Sequence, residues 1–240
     1  MLKDIKIKAV YNSEEDNILE DFYVPALSNS VSYDRAVGYF DAKMLTSSAS
    51  GLAPFIENDG YMRLIVGATL TEDEYEAISR GYDKRTALEK LENNLIDIIN
   101  SSDSDLFQHQ LQVLTWMITH RKLDVKIALR RNGIHHQKIG IFRDKLGDFV
   151  VFQGSANETN KALLPFNYET INVFKGWHSE LEDHYLPHLK SFDKLWSNQA
   201  KDTLVIDFTD ISLKVLSSKF PDVSRPSLLD EIDLWQKYIN

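Results

Sequence analysis

Hydrophobic positions along this chain switch repeatedly between two spacings, every second residue and every third to fourth, the signatures of strands and of amphipathic helices. Extended patterns predict strands over 5–11, 33–40 and 123–129, and a short apolar run predicts a buried one over 62–66. Extended patterns recur over 138–142, 149–152, 169–174 and 203–208. Helical spacing covers 15–27, 42–57, runs within 71–99 and 106–119, and about 180–197. Residues 144–148 read as a tight turn between two strands, and the polar run 100–105 (Asn-Ser-Ser-Asp-Ser-Asp) as a loop. Strands interleaved with helices predict a layered α/β domain around a central mixed β-sheet. Residues 1–208 are expected to form it. Residues 209–240, with Pro221 and Pro226 flanking a polar turn, are expected to be a C-terminal linker and short helix.

At 240 residues the chain is long enough to bury a sizeable core, and 43% hydrophobic with 26% charged residues is ordinary for a soluble globular protein. There is no cysteine, which excludes disulfides and thiolate metal sites and fits a reducing cytoplasm. The start, Met-Leu-Lys-Asp-Ile-Lys, has no signal-peptide pattern, and no apolar run could span a membrane. A cytoplasmic location is therefore expected.

Net charge changes the picture only when its distribution is considered. The chain carries −9 overall, yet residues 121–145 hold Arg121, Lys122, Lys126, Arg130, Arg131, Lys138, Arg143 and Lys145 against Asp124 and Asp144. That strip sums to +6, so the remainder sums to −15. A local basic strip is the footprint of a phosphate backbone. The competing explanation is a pair of sheet-edge strands guarded by cations against mispairing.

The strip contains the densest chemistry in the sequence. His136-Gln137-Lys138 is followed by Gly154-Ser155-Ala156-Asn157 and then by Glu169. The set combines a ring nitrogen able to attack phosphorus, a cation, hydroxyl and amide donors, and a carboxylate able to orient a histidine. In an extended strand His136 and Lys138 share a face and His135 takes the other. The hairpin returns Ser155 and Asn157 beside them.

These residues resemble the phospholipase D superfamily, whose signature is HxK, an aspartate, then GSxxN or GSxN. The order His136, Lys138, Ser155, Asn157, Glu169 is most similar to its single-motif nuclease branch. One departure is visible: Arg143 stands where the family has its aspartate, and Asp144 follows one residue later. The segments 22–27, 32–40, 50–52 and 167–174, with Trp177, resemble the phospholipase D-like domains at the N-termini of bacterial superfamily-two DEAD/DEAH helicases and of restriction or defence proteins. The resemblance covers roughly residues 1–200 and implies an α/β/α sandwich. No GxxxxGK[ST] motif is present, so the chain cannot itself be the motor.

Two further HxK triplets, His120-Arg121-Lys122 and His188-Leu189-Lys190, lie in helical patterns without a Gly-Ser return and are expected to be ordinary helix residues. His184 and His188 have a metal-like spacing, but Pro187 intervenes and no third ligand is evident. No metal and no cofactor is expected. Arg130, Arg131, Arg143, Lys145 and Arg35 are candidate substrate contacts, Arg35 being equally explicable as packing.

The resemblance implies a metal-independent nuclease working through a phosphohistidine. His136 attacks, Lys138 and Asn157 hold the nonbridging oxygens with help from Ser155, and Glu169 fixes the histidine tautomer. A single motif supplies one histidine where the reaction uses two, which implies a homodimer with a shared site. The expected partners are nucleic acid, with DNA favoured, and a helicase or ATPase. The rival readings are a non-catalytic nucleic-acid-binding module of a helicase complex and a lipid phosphodiesterase. The last is disfavoured by the absence of an amphipathic anchor and of a second motif.

Overall fold

The computed structural model of the chain describes residues 1–38, 52–68, 76, 78, 84–100, 105–130, 133, 135, 137–154 and 169–227. Among the described residues, eight strands form one sheet: β1 (Val10–Asn12), β2 (Ser32–Val37), β3 (Tyr61–Ala68), β4 (Leu123–Arg130), β5 (Ile139–Arg143), β6 (Phe149–Gly154), β7 (Thr170–Lys175) and β8 (Thr203–Asp207). Their spatial order is β1-β7-β6-β5-β2-β3-β4-β8. The β2-β3-β4 group is parallel and every other pairing is antiparallel, so the sheet is mixed.

Helices cover both faces, giving an α/β/α architecture. One face carries α1 (Val24–Ser28), α2 (Leu52–Glu57), α3 (Lys84–Asn100), α4 (Asp105–Thr119) and α6 (Thr209–Lys219). The other is covered by α5 (Glu182–Trp196), whose Tyr185, Phe192 and Leu195 pack on Ala36, Ile65, Ala128, Ile139, Ile141 and Val151. This two-sided burial explains the near-continuous apolar run in β3, where Met62, Leu64 and Val66 face one layer and Ile65 the other.

The many-helix face has an aromatic centre. Phe142 stacks on Tyr33 at 4.5 Å and on Phe152 at 5.4 Å, and the Tyr23 hydroxyl donates to that of Tyr33 at 2.9 Å. Tyr23 and Phe22 reach this cluster from a wide helical turn, Leu19–Tyr23, that runs into α1. Pro25 lacks the N–H that an α-ladder would return to Asp21, and the ladder is interrupted there.

The opposite face is organised by charge. Asp34, buried in β2, accepts from Arg63 Nε at 2.6 Å and Nη2 at 2.7 Å, and also from Arg143 Nη1. Arg63 in turn lies under the rings of Phe192 and Trp196, at 5.0 and 5.3 Å. Lys126 Nζ donates to the Trp196 carbonyl at 2.9 Å and sits 4.4 Å from its ring. Thus α5 is docked by cations rising from β3 and β4 as well as by apolar contact.

Three differences from the expected pattern have physical reasons. The first strand is short, spanning only Val10–Asn12, because β1 is an edge whose pairing to β7 covers three residues. The segment after Phe208, expected as linker, opens with α6, whose Val215 and Leu216 are buried in the main core against α3, α4 and β4. The basic segment is not a guarded edge, since β4 and β5 are both interior strands with β2 and β3 between them. The expected helical residues 42–51 and 71–75, and the helix expected after residue 227, lie outside the described residues.

Removing one partner of a buried ion pair leaves the others desolvated and uncompensated. Asp34→Ala is therefore expected to lower stability by about 3 kcal/mol, the low end of the usual range because both guanidiniums keep some solvent contact. Urea denaturation checks this.

Candidate active site at one end of the sheet

The C-terminal ends of β2, β3 and β4 lie beside the start of β5, the end of β6 and the start of β7. In open α/β sheets this is the end at which ligands bind. The register brings the motif segments there: Ile139 pairs with Gln153, and Gly154 with Ile171. Lys138 thus precedes β5, Gly154 closes β6 and Glu169 precedes β7, all on adjacent strands.

Glu169 is tethered through its backbone. Its N–H donates to Ser13 Oγ at 2.9 Å, and its carbonyl accepts from the Ser13 N–H at 3.0 Å. The β1 edge, short as it is, therefore fixes the residue that begins β7.

Lys138 is buried, as is Arg35 in β2. Burial, and then the charge of Arg35, pull the Lys138 ammonium below its ordinary value of 10.5, while Glu169 pulls it back up. These three side chains belong to one electrostatic cluster. Alternation places Lys138 on the same face as Gly140 and Phe142, the many-helix side, and Arg35 pairs with Gly140 on that face.

Arg35 rests 5.0 Å above the Phe152 ring. The row Arg35, Gly140, Phe152 runs across three neighbouring strands in register. Gly140 makes the row possible, since a Cβ there would stand 2.0 Å from the Phe152 ring. A second close approach supports the motif segment. A Cβ on Gly67, near the end of β3, would lie 2.5 Å from the His135 carbonyl oxygen and 2.4 Å from that of Gly38. Sequence reading passes over Phe152, Gly140 and Gly67. The available signal is a glycine inside an otherwise apolar strand.

Among the expected site residues, the structure brings Lys138, Glu169, Arg35 and Arg130 to this end of the sheet. Arg130 is the exposed last residue of β4. Arg143 and Lys145 are at the opposite end, roughly 17 Å from Lys138 at the rise of an extended strand. There Arg143 is engaged by Asp34, and Lys145 sits in the β5–β6 turn. His136, Ser155, Asn157 and Arg131 lie outside the described residues.

Asp144, the residue displaced by one from the family pattern, is a turn device. Its buried carboxylate accepts backbone N–H groups from Leu2, Leu146 and Asp148 at 3.0–3.1 Å. The extra HxK triplets have structural explanations too. His120 follows α4, its Nδ1 2.8 Å from the Trp116 carbonyl and its ring stacked on Trp116 at 4.2 Å. His184 and His188 both stack on Phe174 at 5.9 Å, and burial pushes His188 below the ordinary histidine value.

The sequence matches no protein-family model and no curated protein. The structure is similar to NucT from Helicobacter pylori, at 15% identity and a TM-score of 0.41, over 82% of this chain and 99% of that one. It is also similar to a phospholipase D family member, Nuc from Salmonella typhimurium, at 17% identity and 0.40, over 80% and 95%. Phosphatidylserine synthase from Haemophilus influenzae Rd KW20 aligns at 14% identity and 0.49, over 90% of this chain and 46% of that one. At these values the comparisons carry no statement about chemistry, which rests on the chain's own residues.

The electrostatic cluster can be tested directly. Because the folded pKa of Lys138 lies below 10.5, the buried ammonium costs stability at low and neutral pH. That cost disappears as pH rises from the folded pKa to 10.5. Arg35→Met should raise the Lys138 titration only partway, since burial is the larger cause, and Glu169→Gln should lower it. Side-chain NMR of the lysine Cε resonance reads both; no movement in either variant would break the cluster apart.

Proposed function

We propose that this chain is a phospholipase D-type phosphodiesterase that cleaves nucleic acid, DNA in preference to RNA, through a phosphohistidine. The observation that carries the reading is the buried Lys138, in one electrostatic cluster with Arg35 and Glu169 at the sheet end where Lys138 and Gly154 lie on neighbouring strands. A desolvated cation beside a nucleophilic ring is what stabilises charge on a transferring phosphoryl group.

In this mechanism the lone pair of neutral His136 attacks phosphorus and a P–N bond forms. The P–O bond to the leaving oxygen breaks, and a second, protonated histidine gives that oxygen its proton. The same histidine, now neutral, takes a proton from water. The hydroxide attacks phosphorus and releases His136. Lys138 and Asn157 hold the nonbridging oxygens, Ser155 assists, and Glu169 accepts from the ring nitrogen that does not react. The second histidine is His136 of another copy of this chain, in a twofold dimer. The proposed setting is bacterial restriction or anti-phage defence beside a helicase, which rests on the resemblance of the N-terminal segments alone.

Since no step in this scheme uses a metal, plasmid or single-stranded DNA should be cut in excess EDTA. Lys138→Ala should lose roughly 10²–10³-fold in rate, the usual effect of removing one such donor. His136→Ala should be inactive, while His120→Ala and His188→Ala stay near wild type. Activity appearing only with added magnesium would sink the mechanism.

The shared site has its own test. After subunit exchange with a ninefold excess of His136→Ala chains, activity per wild-type chain should fall about tenfold, because a mixed dimer lacks either attacker or acid. Activity that simply dilutes in proportion would exclude the shared site. An inactive monomer that binds DNA would point to a targeting module instead.

A further inference from the structure

On the α5 side of the sheet, back to back with the Lys138 cluster, a pocket of about 510 Å³ opens at the same end. Its lining includes Arg130, His135, Gln137, Ser191, Lys194 and Lys201. The three cations come from three separate elements: the end of β4, the last turn of α5 and the α5–β8 turn. All three are exposed, whereas His135 is buried at the base.

Three exposed cations around one cavity raise its positive potential and favour an anion there. Among the described residues lining the pocket there is no carboxylate. A neighbouring hollow adds Lys190 against one acid, Asp183. Neutral donors complete the set. Ser191 Oγ donates to Gln137 Oε1 at 3.2 Å, which orients the Gln137 amide and leaves its NH2 edge as a donor.

The pocket is joined to the proposed reaction centre by the chain itself. Gln137 faces the pocket while its neighbour Lys138 belongs to the opposite side. One short segment therefore stands between this pocket and the Lys138 cluster. The His135 backbone is braced in this segment by Gly67.

We infer that this pocket is a second phosphate subsite, which holds an internal phosphodiester of the nucleic-acid strand next to the one cleaved, through Arg130, Lys194 and Lys201 with Gln137 as a neutral donor. The inference rests on the nucleic-acid reading above, but it concerns binding and not cleavage. It gives the basic strip a sharper meaning: Arg130 works with lysines from the distant α5 and its following turn, not with Arg143 or Lys145.

The test uses the full-length His136→Ala chain in EDTA, so that nothing is consumed, and a fluorescent single-stranded oligonucleotide with a 5′-hydroxyl. Lys194→Gln with Lys201→Gln should weaken binding about tenfold. It should also flatten the plot of log affinity against log salt by roughly 0.7 for each phosphate that the protein no longer neutralises. Both lysines are exposed, so the fold is spared, and Lys6→Gln, an exposed charge change outside the pocket, serves as the control. Unchanged affinity and slope in the double variant would overturn the subsite. Weakening confined to 5′-phosphorylated strands, or to inorganic pyrophosphate used as a separate probe, would overturn the internal-phosphate assignment. Strand binding that depends on these lysines, together with a wild-type chain that does not cleave the same strand, would keep the subsite and discard the phosphodiesterase reading.

Discussion

The Asp34 carboxylate sits where the parallel and antiparallel halves of the sheet meet, and it joins β2 to β3 through Arg63 and to β5 through Arg143. Because side chains alternate with a period of two, a one-residue slip between β2 and β5 would carry Lys138 to the wrong face. The Asp34 clamp opposes that slip with directional, charge-assisted hydrogen bonds, which apolar packing alone cannot supply. It also sets the seat of α5, since Arg63 carries Phe192 and Trp196 on its outer side. Sheet register, helix docking and placement of the candidate site thus share one origin at the far end of β5.

The two faces use charge differently. Beneath α5, cations serve structure, with Arg63 and Arg143 on Asp34 and Lys126 on Trp196. On the other face, Arg35 and Lys138 are held near each other against mutual repulsion, and Glu169 offsets part of the charge on Lys138. A repulsive pair of buried cations costs the fold stability, whereas the Asp34 clamp supports it.

Much of the fold is legible in the hydrophobic spacing. Interior strands such as β3 and β4 declare themselves because burial leaves a near-continuous apolar run in the first and alternation in much of the second. The β1 edge does not, because pairing over three residues leaves little pattern. Helix α6 escapes a sequence reading because its short apolar set, Ile211, Leu213, Val215 and Leu216, is interrupted by polar residues and followed by a polar tail. At the site, a strand-hairpin reading accounts for Lys138 and Gly154 on neighbouring strands, whereas Glu169 is grouped with them only by the resemblance, and in the fold it arrives through the pairing of β7 with β6. What sequence cannot separate is Arg130 from Arg143: both lie in one basic run, yet two interior strands and the length of β5 part them. The Arg35–Gly140–Phe152 row is equally hidden, since it exists only once three distant segments are in register.

The contact of Gly67 with the His135 carbonyl has a mechanical consequence. The segment bears on bare backbone at the tip of β3, where there is no side-chain rotamer to yield under load. A bearing of this kind is stiff, so positional accuracy at His135 is inherited from the pairing of β3 with β2 and β4. Loosening of the outer helices would leave that accuracy intact, and only separation of the central strands would release it.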